Sequence, residues 1–353
     1  MVDWTICKLG DILNFRRGYD LPKTSMREGD VPVAGSNGII GYHDVATPIS
    51  PCITIGRSGN VGTPYIYDKC WAHNTVLYVD DYKGNNPLYL YYLLKTIPLA
   101  AFGGGSAVPT LNRNHIHPIE IKHCSTLATQ QHIAAILGAL DDKIELNRRI
   151  NANLEEQAIA LFKEWFLKNC DVNCRKGHLA DVVQIWDALR KPLSGQERDK
   201  MQKIYPYYGA AALMDYVDDY LFDGIYLLVG EDGTVIDDRG FPVLQYVWGK
   251  FWVNNHAHVL TGTNGFSTES LYILLGLTKV KAIVTGAVQP KINQANLKNI
   301  PIDIPPVELL KEYEAIIRPI FAKIRSNREE NRRLATLRDA LLPKLMRGEI
   351  MVV

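Results

Sequence analysis

Residues 129–166 constrain this chain more than any other stretch, because the chain carries their pattern twice. The stretch has no proline, one glycine (Gly138) and much Ala, Leu, Glu, Lys, Arg and Gln, so it predicts one long helix. Ile133, Ile136, Leu140, Ile144, Asn147, Asn151, Leu154, Ala158, Leu161 and Trp165 recur, after one early irregularity, in alternating steps of three and four. That is the narrow 3.5-residue seam of a coiled coil. Residues 314–347 repeat it 180 positions on: Ile144 falls on Ile324, Asn147 on Asn327, Asn151 on Asn331, Leu154 on Leu334 and Leu161 on Leu341. Asparagines at two successive seam positions are costly in an apolar interface unless they face partners and fix register. The pattern therefore predicts two helices packed on each other, each ~55–60 Å long at 1.5 Å per residue.

The segments before the helices also repeat. Leu9-Gly10-Asp11-Ile12 matches Leu179-Ala180-Asp181-Val182, Pro32 and Gly35 match Pro206 and Gly209, and Ile55-Gly56-Arg57-Ser58-Gly59 matches Val229-Gly230-Glu231-Asp232-Gly233. Farther on, His73 with Val76-Leu77 matches His256 with Val259-Leu260, and Pro109-x-Leu111-Asn112 matches Pro290-x-Ile292-Asn293. Short β-like runs, a helix near 88–94 and many turn formers describe an irregular α+β domain, present in two diverged copies. The expected order is domain 1–126, helix 127–170, domain 171–308, helix 309–353.

Composition excludes several classes. No apolar run reaches the ~18 residues of a membrane span, and the first residues lack the basic-then-apolar plan of a secretory signal. Six scattered cysteines suit reduced thiols and a cytoplasmic location. A net charge of +1 means that any nucleic-acid contact must use local patches or a basic partner. Catalytic motifs fail in turn. Asn86-Pro87-Leu88-Tyr89 approaches the Asn-Pro-Pro-Tyr element of amino-methyltransferases, but Leu88 replaces a proline and the second copy has a plain helix start there. There is no phosphate loop for ATP. Cys170, Cys174 and His178 lack a fourth zinc ligand at metal-like spacing. His256 and His258 alternate on a strand, one inward and one outward, which suits structural histidines.

The helix text is the most specific part: Gln130-Gln131-x-Ile133-Ala134-x-Ile136-Leu137, Leu140-Asp141-Asp142-Lys143-Ile144-Glu145-Leu146-Asn147-Arg148-Arg149-Ile150-Asn151, Leu154-Glu155-x-Gln157-Ala158 and Phe162-Lys163-x-Trp165-Phe166. With Leu9-Gly10-Asp11, Gly56-Arg57-Ser58-Gly59 and the glycine-rich turn before Pro109, in a twofold repeat, the whole chain resembles the specificity subunit of type I restriction–modification systems. The resemblance implies an α+β fold: two pseudo-symmetric globular α/β target-recognition domains separated by two long helices that form an antiparallel coiled coil. It implies a non-catalytic chain whose domains each read one half of a split, asymmetric site on double-stranded DNA. Its expected partners are two modification subunits, which bind S-adenosylmethionine and methylate adenine, and restriction subunits working with ATP and Mg. No cofactor or metal is expected on this chain itself. Two residues depart from the seam: Pro319 lies inside the second helix, and Arg338, in the place of Ala158, must snorkel or find a carboxylate.

Base readout needs donors and acceptors on exposed loops backed by a rigid scaffold. In the first domain Arg57, Ser58 and Asn60 are the main candidates, with Ser106, Arg113 and Asn37 beside them. In the second, the matching loop carries Glu231, Asp232 and Thr234, joined by Arg239, Asn255, His258 and Lys291. Arg57 suits guanine and Asn60 adenine, whereas Glu231 would accept from cytosine. Two other readings compete: a coiled-coil scaffold with two binding modules and no DNA contact, favoured by the near-neutral charge, and an enzyme, disfavoured by the missing motifs.

Overall fold

A run of apolar and β-branched residues, Cys52–Gly56, is buried along its whole length and lies inside the main sheet of the first domain. The computed structural model describes residues 4–104, 109–168, 174–286 and 288–351. The chain divides into two compact units, Met1–Asn147 with Glu329–Val353, and Arg148–Arg328. The unit borders fall within the two long helices, each of which the sequence reading kept as a segment of its own.

In the first unit the main sheet is antiparallel, in the order Asn14–Arg17, Val76–Asp81, Cys52–Gly56, Pro64–Tyr67. A second sheet orders Gly38–His43, Val31–Gly35 and Trp71–Ala72, the last pair parallel. Trp4–Lys8 and Glu120–Cys124 close the unit as a two-stranded ribbon. The helix Pro87–Lys95 lays Tyr89, Leu90 and Leu93 against Ile53, Ile55, Leu77 and Val79. Asn86 and Pro87, the near-match to a methyltransferase element, start this helix: the Asn86 side chain caps it by accepting the Tyr89 N–H at 2.9 Å.

The second unit repeats the plan with one continuous six-stranded sheet, in the order Val183–Ile185, Ala257–Gly262, Phe222–Gly230, Leu244–Val253, Tyr205–Tyr208, Leu213–Val217. The ten-residue strand Leu244–Val253 pairs with neighbours on both sides. Its counterpart in the first unit is broken into Pro64–Tyr67 and Trp71–Ala72. There Pro48 and Pro51, which cannot donate to a ladder, precede the central strand and shorten it.

The long helices span Leu127–Phe162, followed by a π turn at Lys163–Lys168, and Val307–Met346. The second runs through Pro319 without interruption. Within each unit the helix segments run antiparallel and meet at asparagines. In the first, Asn147 donates to Oδ1 of Asn331 at 2.9 Å and Asn331 donates to the Ile144 carbonyl at 3.2 Å. In the second, Asn327 donates to Asn151 at 2.8 Å and Asn151 to the Ile324 carbonyl at 3.3 Å. The second set is the first moved along by 180 residues. Arg338 finds the carboxylate it needs on Asp141, which Tyr92 also holds at 2.7 Å.

Away from the asparagines the expected seam changes face. Ile136 is 39% exposed while Ile133, Ala134 and Leu137 join Leu342, Leu345 and Met346 in the first core. Likewise Phe162 and Phe166 are buried, and Leu161 and Trp165 only partly so. Helix ends that pack on a sheet domain present a broad stripe, which overrides the narrow seam.

Cys7, Cys52, Cys70 and Cys124 are free thiols, but Cys174 is disulfide-bonded, which corrects the expectation of uniformly reduced cysteines and removes it as a zinc ligand. Cys170 lies outside the described residues.

Candidate nucleic-acid interface

In the first unit the loop after Cys52–Gly56 is built by main-chain hydrogen bonds. The N–H groups of Arg57 and Ser58 both donate to the Thr75 carbonyl, at 2.8 and 3.2 Å, and Gly59 donates to Pro109 at 3.2 Å. Leu111 N–H donates to the Arg57 carbonyl at 2.7 Å. The turn needs its glycines: a Cβ on Gly56 would stand 1.8 Å from the Asn60 carbonyl oxygen, and Gly59 has φ +85°. Asn60 is exposed at the tip. Ser36 donates to the carbonyls of Ser58 and Thr75, both at 2.7 Å, and so fastens the exposed Asn37 turn beside this loop.

Arg57 does not stand alone. Asn14–Arg17 pairs with Val76–Asp81 so that Arg17 lies opposite Leu77, and Leu77 lies opposite Ile55 on its other side. This brings Arg16 and Arg17 beside Arg57 and Arg113, around a cleft of about 390 Å³ also lined by Leu77, Thr110, Leu111 and Asn112. Arg113 donates to the Phe15 carbonyl at 3.2 Å, and Arg57 reaches the Asn74 carbonyl at 3.5 Å. Arg17 meets Asp20 at 3.4 Å in a pair exposed on both sides. Among the described residues, no ion pair engages Arg16, Arg57 or Arg113. Four arginines lining one cleft, opposed among the described residues by the exposed Asp20 alone, form a site for phosphate or for the acceptor edge of guanine.

The second unit keeps the loop and changes its chemistry. Glu231 N–H donates to the His256 carbonyl at 2.9 Å, Gly233 to Pro290 at 3.0 Å, and Ile292 N–H to the Glu231 carbonyl at 2.8 Å. Glu231 therefore stands where Arg57 does. The ladder corrects the alignment of the following strand by two residues: Val229 pairs with His258 as Ile55 pairs with Leu77, so His258 takes the place of Leu77.

The Glu231 side chain is already engaged. Arg190 Nη1 lies 2.7 Å from it and Lys291 Nζ 3.3 Å. Arg190 also donates to the Ala257 carbonyl at 2.6 Å and approaches Asp187 at 3.4 Å. His258, 0% exposed, sets Nδ1 2.6 Å from Asp187 and Nε2 2.8 Å from the Ile292 carbonyl. Burial raises the carboxyls of Asp187 and Glu231, but the bonds and charges from His258, Arg190 and their neighbours outweigh it, and both titrate below their ordinary range. Asp187, Glu231 and His258 offer ligand atoms within 4.8 Å of one another, yet Arg190 and Lys291 already supply the cations.

The remaining candidates lie apart from this network or on its margin. Asn255 is exposed, and its carbonyl lies 3.5 Å from Arg190. Thr234 is exposed at the loop tip, and Arg239 is paired with Asp237 at 3.1 Å on its own turn. His256, the more exposed of the two histidines, pairs with Asp232. Ser106 lies outside the described residues. Sequence reasoning missed Arg16, Arg17, Asp187, Arg190 and Gln294, all brought to the clefts by strand pairing or loop return. The doubled arginine at the end of a short β run was the one local signal.

The model of the type I restriction modification DNA specificity domain matches residues 1–156 and again 172–336. The chain is 27% identical over 301 residues to the type I restriction enzyme MjaIX specificity subunit of Methanocaldococcus jannaschii, covering 75% of this chain and 69% of that one. It is 32% identical over 161 residues to a putative specificity subunit of Haemophilus influenzae, S.HindORF215P, covering 46% and 40%. Among solved structures, the S subunit of a type I system from M. genitalium superposes with a TM-score of 0.64 at 18% identity, covering 98% of this chain and 96% of that one.

Proposed function

The chain belongs to the type I restriction modification DNA specificity family, and from that membership we propose that it is the address reader of a restriction–modification complex, each unit reading one half of a split, asymmetric site on double-stranded DNA. The observation that carries this reading is the pair of equivalent loops with unlike chemistry, Arg57 in one copy and Glu231 in the other. One scaffold presenting two different surfaces is what an asymmetric target requires. In the first unit Arg57, Ser58, Asn60, Asn37 and Arg113 are the proposed readers. In the second, Thr234 and Asn255 are exposed on the loops, and Glu231, His258 and Lys291 support them through their ion pairs. The asparagine-paired helices serve as the register device that fixes half-site spacing and as a docking face for two modification subunits.

The chemistry belongs to partners: S-adenosylmethionine on the modification subunits, ATP and Mg on restriction subunits. This chain supplies the address. No helix among the described residues is long and apolar enough to cross a membrane.

Mapping methylated adenines in the host genome by single-molecule sequencing, with and without this gene, tests the reading. Loss of one split, asymmetric motif is expected. An unchanged methylation map overturns it.

A further inference from the structure

The two clefts are the same place in two copies, and their charges have been exchanged. Arg17 lies opposite Leu77 on the neighbouring strand. In the second copy Trp186 N–H donates to the Val259 carbonyl, which sets Asp187 opposite His258, the Leu77 equivalent. Asp187 thus replaces Arg17, and Glu231 replaces Arg57. Thr110 bridges to Ser58 and to Gly104 as Lys291 bridges to Asp232 and to Thr285, so Lys291 replaces Thr110. Asn112 and Asn293 each cap the short helix that follows, which puts Gln294 in the place of Arg113.

The first cleft is left with a surplus of positive charge facing solvent, since Arg16 and Arg17 are exposed and, among the described residues, the one ion pair here joins Arg17 to Asp20. In the second, two carboxylates face Arg190 and Lys291, and the side chain of Arg190 is only 12% exposed. Its charges are spent on each other.

Resting on the DNA-reading role above, we infer that the copies have divided their labour. The first cleft seats a phosphodiester of the duplex with Arg16, Arg17 and Arg113 around it. The second is closed by its own ion pairs and seats none. The two half-sites then differ in the origin of their affinity: the first is driven by counterion release, and the second rests on neutral donors and acceptors on its loops. Each cation that neutralises a phosphate steepens the fall of log affinity with log salt by about 0.9 for B-form DNA, or about 3.5-fold in affinity per fourfold change in salt.

The test uses the full chain, alone and together with its modification subunits, binding a fluorescent random-sequence duplex across a fourfold range of KCl. Arg16→Ala, Arg113→Ala and Lys291→Ala all change exposed side chains, and a thermal melt of each checks that it folds. Arg16→Ala and Arg113→Ala should each flatten the salt slope by about 0.9, while Lys291→Ala leaves it unchanged. Equal flattening by Lys291→Ala, or none by the two arginine variants, overturns the division of labour and leaves DNA recognition standing. Absence of salt-dependent duplex binding by the unmodified chain in both settings overturns the underlying reading and this inference with it.

Discussion

Asn327 donates its side-chain amide to Oδ1 of Asn151 at 2.8 Å, and Asn151 in turn donates to the Ile324 carbonyl at 3.3 Å. Both asparagines are buried. Replacing one leaves the other with an unmet polar group, so Asn327→Leu should cost about 1–3 kcal/mol in chemical denaturation. The double change Asn151→Leu with Asn327→Leu removes both polar groups and should recover most of that loss. A double variant as unstable as the sum of the singles would show that the pair does not act as a unit.

Gln130 ties the first long helix to the domain it leaves. Its Oε1 accepts the Asn86 N–H at 2.8 Å, and its Nε2 donates to Asn85 at 2.7 Å and to the Cys124 carbonyl at 2.8 Å. Gln130→Ala should lower stability by about 2–3 kcal/mol, read from the denaturant midpoint. In the second unit Glu314 has the corresponding role, accepting from Ser267 N–H at 2.8 Å and from the Ser270 hydroxyl at 2.6 Å. Because Glu314→Gln keeps an acceptor there, its cost should stay below about 1.5 kcal/mol, the net worth of one hydrogen bond.

Arg190 bridges both carboxylates of a buried network, and Arg190→Met leaves Glu231 with Lys291 and Asp187 with His258 as their remaining cationic partners. A loss of about 3 kcal/mol is expected on thermal or urea unfolding.

Acid should act on the same network. Both carboxyls titrate below their ordinary range, so their stabilisation is complete above their unfolded values, about pH 4, and is lost as pH falls through the lower folded values. Glu231→Gln should therefore lose less stability than the unmodified chain between about pH 5 and about pH 3. A steeper loss in the variant would reverse the assigned sign.

For recognition, selection of binding sites from random DNA by the Arg57→Ala complex should relax one half-site by about 1–3 kcal/mol at one position and leave the other half-site intact. Unchanged preference in both halves removes Arg57 as a reader.

The asparagines were legible in the sequence because helical period is local: Asn147 and Asn151 fall at their seam positions whatever surrounds them. The strands were not. Matching His73 to His256 by residue type slips the copies by two, because register is a long-range property and nothing near either histidine reveals its cross-strand partner. The same blindness hid Arg16 and Arg17, which reach Arg57 only through the strand holding Leu77. Glu231 read as an exposed acceptor because Arg190, 41 residues earlier, gives no local sign that it returns to meet it.

The first unit is assembled from the two ends of the chain. Lys122 donates to the Arg347 carbonyl at 2.7 Å, and Gly348 sits so close to Trp4 that a Cβ there would stand 2.5 Å from the indole nitrogen. The second unit is one unbroken stretch between those ends. During synthesis it can close once Arg328 has left the ribosome, while the portion made first still waits for Leu342, Leu345 and Met346 to fill its core. The segment before Asn147 is therefore finished only after the second unit, and a chain cut between Arg328 and Leu342 would hold a closed second unit beside a first core lacking Leu342, Leu345 and Met346.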